Sequence, residues 1–188
     1  MSYKKEEVKC PQCGKKIRIK VHTKFDENQI ADIVDRSIFA AKCSKCGKIT
    51  YIDYLVDLET PNYYLYYTPG YNKSKKNIKG KLTRVCDTYD DFKEKILIFE
   101  EGLNDLLIEF IKAYIKNELK GEDLTNLRDI RFDSIIDDNI IFALVGLKKN
   151  VAIKRDFYNA LDEKSIYKKP LRAMVIDRDT FWKYHKMR

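Results

Sequence analysis

The first regular pattern in the chain is an alternation. In Lys16-Ile17-Arg18-Ile19-Lys20-Val21 every second side chain is apolar, the period of a half-buried strand. Residues 26–38 (DENQIADIVDRSI) change to helical spacing, with Asp26 placed to cap the start and Gln29 three residues on to complete a capping box. Residues 48–56 (KITYIDYLV) return to a strand rich in β-branched residues and tyrosine. A further strand is predicted in NYYLYY, followed by a turn at Pro69-Gly70 and a lysine-rich loop.

From Thr88 the period lengthens again. Phe92, Ile96, Phe99, Leu103, Leu106, Phe110 and Ala113 recur four and three apart, as one face of a helix or of two short helices broken near Gly102. Asp87, Asp90 and Asp91 sit where a helix start favours negative charge. The stripe at 92–113 reads as an internal packing face, and alternatively as a seam for a second copy of the chain. Residues 117–126 (NELKGEDLTN) look like a linker. RDIRFDSII and NIIFALVGL flank Asp137-Asp138 as a hairpin, KRDFYNALDEK as a short helix, and RAMVIDRDTFWKYH as a last strand and helical turn. The predicted class is α+β: residues 1–119 with a helical segment at 88–119, then a small α+β region over 120–188.

Composition adds the setting. A chain of 188 residues with 44% hydrophobic and 12% aromatic residues can bury a core without cross-links. Its N-terminus lacks an apolar signal region, and no run approaches the roughly 20 apolar residues of a membrane span. A soluble cytoplasmic protein is expected, with no membrane partner. Thiols stay reduced in that compartment, so five cysteines read as metal ligands plus a spare rather than as disulfides. The net charge of +8 is uneven: residues 1–86 carry 18 basic side chains against 9 acidic, and residues 87–119 carry 4 against 9.

Cys10-Pro11-Gln12-Cys13-Gly14-Lys15 and Cys43-Ser44-Lys45-Cys46-Gly47-Lys48 are two copies of CxxCGK. Two tight turns, each offering two thiolates, suit a tetrahedral zinc ion at about 2.3 Å from each sulfur. A glycine after the second cysteine lets the chain turn back, so that amide N–H groups face the sulfurs. One structural zinc held by Cys10, Cys13, Cys43 and Cys46 in a zinc ribbon is therefore expected. A rubredoxin-like iron uses the same ligands, and a redox CxxC pair is the remaining alternative. Cys86 stands apart as a small buried hydrophobe or a reactive thiol.

VKCPQCGKKI, AAKCSKCGKITYIDYLV and RVCDTYDDFKEKILIFEEGLNDLLIEFIKAYIK resemble the successive blocks of the CpXC family over residues 7–119. The resemblance implies a bacterial or phage cytosolic protein built on a zinc ribbon. Ser44 stands where a proline is more usual in the family, which leaves the ligands in place.

Four thiolates close a metal site, whereas catalytic zinc keeps an open position. His22 and His185 belong to no HExxH pattern, and no phosphate-binding glycine loop is present. No enzyme is expected. A protein partner is the leading reading, with the chain as adaptor or regulator. The alternative is nucleic acid, met by Lys15, Lys16, Arg18, Lys20, Lys42, Lys45, Lys48, Lys75 and Lys76, with Tyr63, Tyr64, Tyr66, Tyr67 or Tyr71 to stack on bases.

Overall fold

A computed structural model of the chain describes residues 3–70, 81–119 and 121–164. It shows a mixed α+β protein whose chain divides into two compact units, Met1–Lys93 and Glu94–Arg188. The division falls inside the helical segment predicted over 88–119. From Ile98 onward, the buried positions of that segment belong to the second unit's core.

The first unit opens with two strands, β1 (Tyr3–Lys9) and β2 (Lys16–His22), paired antiparallel from Tyr3↔His22 to Lys9↔Lys16. After β3 (Lys24–Phe25), Asp26 caps a 3₁₀ turn at Glu27–Gln29, and the reciprocal capping box with Gln29 is formed. The short helix α1 (Ile30–Val34) follows, then a second antiparallel pair, β4 (Ala40–Lys42) and β5 (Ile49–Tyr51). The strand expected over 48–56 is broken. Ile52 donates its N–H to the Phe39 carbonyl at 2.9 Å, and the Tyr54 hydroxyl donates to the Ile38 carbonyl at 2.8 Å. The chain then re-enters as β6 (Val56–Glu59) in a different sheet, ordered β3-β6-β7-β8 with β7 (Tyr63–Tyr67) and β8 (Leu82–Cys86). Phe39 lies edge-on to Tyr67 and Tyr89, and Tyr67 stacks on Phe92 with ring centres 5.4 Å apart.

Thr88 caps α2 (Tyr89–Glu100), its hydroxyl accepting from the Asp91 N–H. The break predicted near Gly102 is present, and Asn104 caps α3 (Asp105–Glu118). That break resets the helical phase: α3 buries Leu106, Leu107, Ile108, Ile111 and Ile115, while Phe110 and Ala113 are only half-buried. Phe92, Ile96, Leu103 and Leu106 of the predicted stripe are buried within the chain's own fold.

Part of the expected linker is instead a helix, α4 (Glu122–Asn126). The predicted hairpin is β9 (Asp129–Ile136) and β10 (Asn139–Val145), joined through Asp137 and Asp138, both at positive φ as its tight turn requires. An unpredicted β11 (Lys149–Lys154) completes a sheet ordered β11-β10-β9, and α5 (Arg155–Lys164) follows. Ile108, Ile111 and Ile115 share one core with Ile130, Phe132, Ile140 and Phe142. The last strand and turn expected in RAMVIDRDTFWKYH lie outside the described residues.

Candidate metal centre

Each cysteine pair occupies the turn of one hairpin in the first unit. Cys10 follows β1 directly and β2 begins at Lys16; Cys43 follows β4 and β5 begins at Ile49. The two turns share one hydrogen-bond plan. Cys10 N–H donates to the Lys15 carbonyl at 2.9 Å and Cys43 N–H to the Lys48 carbonyl at 2.8 Å, while Gly14 and Gly47 each donate to the first cysteine's carbonyl at 2.9 Å. Gly14 (φ +69°) and Gly47 (φ +73°) sit where side-chain-bearing residues are strained.

This plan brings all four sulfurs together. Sγ of Cys10 lies 3.6 Å from that of Cys46, Sγ of Cys13 lies 3.6 Å from that of Cys43, and all four lie within 4.8 Å of one another. A disulfide needs about 2.05 Å, so these are thiols. A tetrahedron of sulfurs around a metal at about 2.3 Å has edges of about 3.8 Å, so the spacing fits a metal-sized centre. The cluster can hold a metal ion through four sulfur donors.

The electrostatics match that use. Backbone N–H groups of Cys13 and Gln12 face the Cys10 sulfur and lower its pKa against desolvation. The amides of Cys46 and Lys45 do the same for Cys43, bringing it down to about 6. At Cys46 the Lys48 amide pulls down, but desolvation and the three neighbouring cysteines win and push it up to about 12. Four thiols this close cannot all ionise without a cation among them.

Around the cluster, Lys15, Lys16, Arg18, Lys42, Lys45 and Lys48 are all exposed. Lys16 and Arg18 both pair with Glu7, at 3.1 and 3.2 Å. Lys75, Lys76, Tyr71 and His185 lie outside the described residues. Tyr63, Tyr64, Tyr66 and Tyr67, offered for base stacking under the nucleic-acid alternative, are at most 4% exposed, because β7 is an inner strand covered on both faces. Cys86 is buried at the end of β8, apart from the thiol cluster, and His22 is half-buried beside the Tyr3 ring.

Sequence reasoning missed a buried charge ladder in the second unit. Asp105, Lys95, Glu109, Lys112, Glu94, Arg131 and Asp129 alternate in sign, with successive N···O distances between 2.7 and 3.5 Å. Glu94 also accepts the Phe132 N–H at 2.7 Å. The spacing Asp105, Glu109, Lys112 is itself helical, so a charged stripe in phase with the apolar one was the available signal. Burial pushes Glu94 above the usual carboxylate range against the pull of Lys112. At Glu109 burial is opposed and outweighed by Lys95 and Lys112, which hold its pKa low.

A family model described as CpXC protein matches residues 8–112. No match is found among curated proteins or among solved structures. No helix among the described residues is long and apolar enough to cross a membrane.

Proposed function

The chain belongs to the CpXC family, and on that premise we propose that it is a non-catalytic scaffold whose two hairpins are stapled by one structural zinc ion and present their outer surfaces to a macromolecular partner. The observation that carries this reading is the convergence of the four sulfurs of Cys10, Cys13, Cys43 and Cys46 within 4.8 Å. An all-sulfur set of four favours zinc in a closed site, and the amide N–H groups at Cys10 and Cys43 disperse the thiolate charge. Such a site supplies folding energy to short strands: β4 and β5 have three residues each.

An adaptor role is supported by Ile49 and Tyr51, which are 50% and 51% exposed on β5 beside the second knuckle. The nucleic-acid reading is supported by the exposed lysines of both hairpins. Elemental analysis with X-ray absorption on freshly purified protein tests the metal reading. One zinc per chain in a shell of four sulfurs at about 2.3 Å is expected. Iron in its place, or an oxygen or nitrogen ligand in the shell, would overturn it.

A further inference from the structure

The register of the first hairpin sorts its charges in a way the sequence order hides. Directly opposed residues of an antiparallel pair point to the same face, and the pairs alternate faces along the ribbon. One face of β1–β2 takes Lys4↔Val21, Glu6↔Ile19 and Val8↔Ile17. The other takes Lys5↔Lys20, Glu7↔Arg18 and Lys9↔Lys16, with Tyr3↔His22 at its end. On the first face Val8, Ile17, Ile19 and Val21 are half-buried or buried while Lys4 and Glu6 stay exposed, whereas on the other face Lys5, Glu7, Lys9, Lys16, Arg18 and Lys20 are all exposed. Five cations thus share one outward face with a single carboxylate.

Two of that face's three charged pairs work against folding. Like charges directly opposite one another destabilise a strand pair, and two of the face's pairs are Lys–Lys. Glu7 offsets only its neighbours Lys16 and Arg18. Lys20 lies over the Tyr3 ring at 5.1 Å, which orients its ammonium without neutralising it. A polyanion laid along the face would remove the repulsion.

We infer that this outward face of β1–β2 binds the phosphate backbone of duplex DNA. The inference rests on the scaffold reading above and names the partner of one of its surfaces. Cations two residues apart on a strand are about 6.8 Å apart, twice the axial rise of about 3.4 Å per phosphate on one strand of a duplex. Apart from Tyr3, the face carries no apolar side chain to enter a bilayer or a hydrophobic groove. Lysines dominate, and lysine meets phosphate as a point charge, so the contact positions the protein without reading base sequence.

The test uses the full chain as purified, with its metal content measured on each sample, and fluorescence anisotropy with a labelled mixed-sequence duplex across a salt series. With about four phosphates neutralised, the log–log slope of affinity on salt is expected near about −3.6. Lys5→Gln and Lys4→Gln remove the same charge from adjacent residues on opposite faces. Lys5→Gln is expected to reduce the slope by about 1 and weaken binding several-fold, and the double variant Lys5→Gln/Lys20→Gln to reduce it by about 2. Lys4→Gln should leave both nearly unchanged, with metal content equal in all variants and no variant melting below the parent chain. Equal losses for Lys4→Gln and Lys5→Gln would overturn the inference, as would salt-insensitive binding. Tighter binding to duplex RNA, single-stranded DNA, anionic vesicles or polyglutamate than to duplex DNA would also overturn it. In each of those outcomes a retained zinc leaves the scaffold reading standing, while its absence removes that reading by itself.

Discussion

At the residue scale, the knuckles depend on a few atoms each. Cys13→Ser removes one of four sulfur donors from a cluster whose members lie within 4.8 Å. It is expected to abolish stoichiometric zinc by elemental analysis and to lower the melting temperature of the chain; a metal-free variant with unchanged melting would refute a structural role. Gly47 has nothing within 4 Å of where a Cβ would stand, so Gly47→Ala introduces no clash, only the strain of φ +73°. A loss of about 1 kcal/mol is expected in a denaturant titration, with a smaller loss for Gly47→Asn, since asparagine tolerates that conformation.

At the element scale, the charge ladder ties α2 and α3 to β9. Lys112→Met leaves Glu94 buried with Arg131 at 3.5 Å and the Phe132 N–H, and is expected to cost about 3–5 kcal/mol. Glu94→Met/Lys112→Met removes both charges and should cost less, which a double-mutant cycle by urea denaturation would show. Acid titration separates the two carboxylates by sign. Glu94, raised by burial, binds its proton more tightly folded than unfolded, so acidification from its folded pKa toward 4.5 adds stability. Glu109, held low once its lysines outweigh burial, contributes stability above 4.5 that is lost as pH falls through its folded pKa. On acidification the Glu94 share of stability should therefore rise and the Glu109 share fall, so Glu109→Gln should lessen, and Glu94→Gln deepen, the drop in urea midpoint. What the sequence made legible here was local chemistry: the Asp26–Gln29 capping box, the break at Gly102 and the Asp137-Asp138 turn all follow from short-range rules. Tertiary competition hid the rest. The run 48–56 keeps a strand pattern across a break made by Tyr54 reaching Ile38, and β7 shows no alternation because both its faces are covered. Lys5 and Lys9 escaped the basic-face reading because β1 is mixed in polarity and becomes a strand only by pairing with β2.

At the scale of the whole molecule, the two compact units have different sources of order. The first combines the two cysteine hairpins and their four thiols with a buried sheet around Leu58, Leu65 and Tyr67; the second has a buried core from Ile98 to Tyr158. Chelation of the metal is expected to expose the amides of β2, β4 and β5 to hydrogen exchange while the Phe132 amide, bonded to Glu94, stays protected. Simultaneous loss in both would show that the second unit is not independently stable. The cysteine pairs also fix a temporal order. Cys43 lies 30 residues after Cys13, so a ribosome adding about 5–20 residues per second delivers the second pair about 1.5–6 s after the first. During that interval the nascent chain offers two sulfurs rather than four, and a metal captured there is only half enclosed. Faithful loading is thus a race between the arrival of the second turn and exchange with whatever other thiols the compartment supplies.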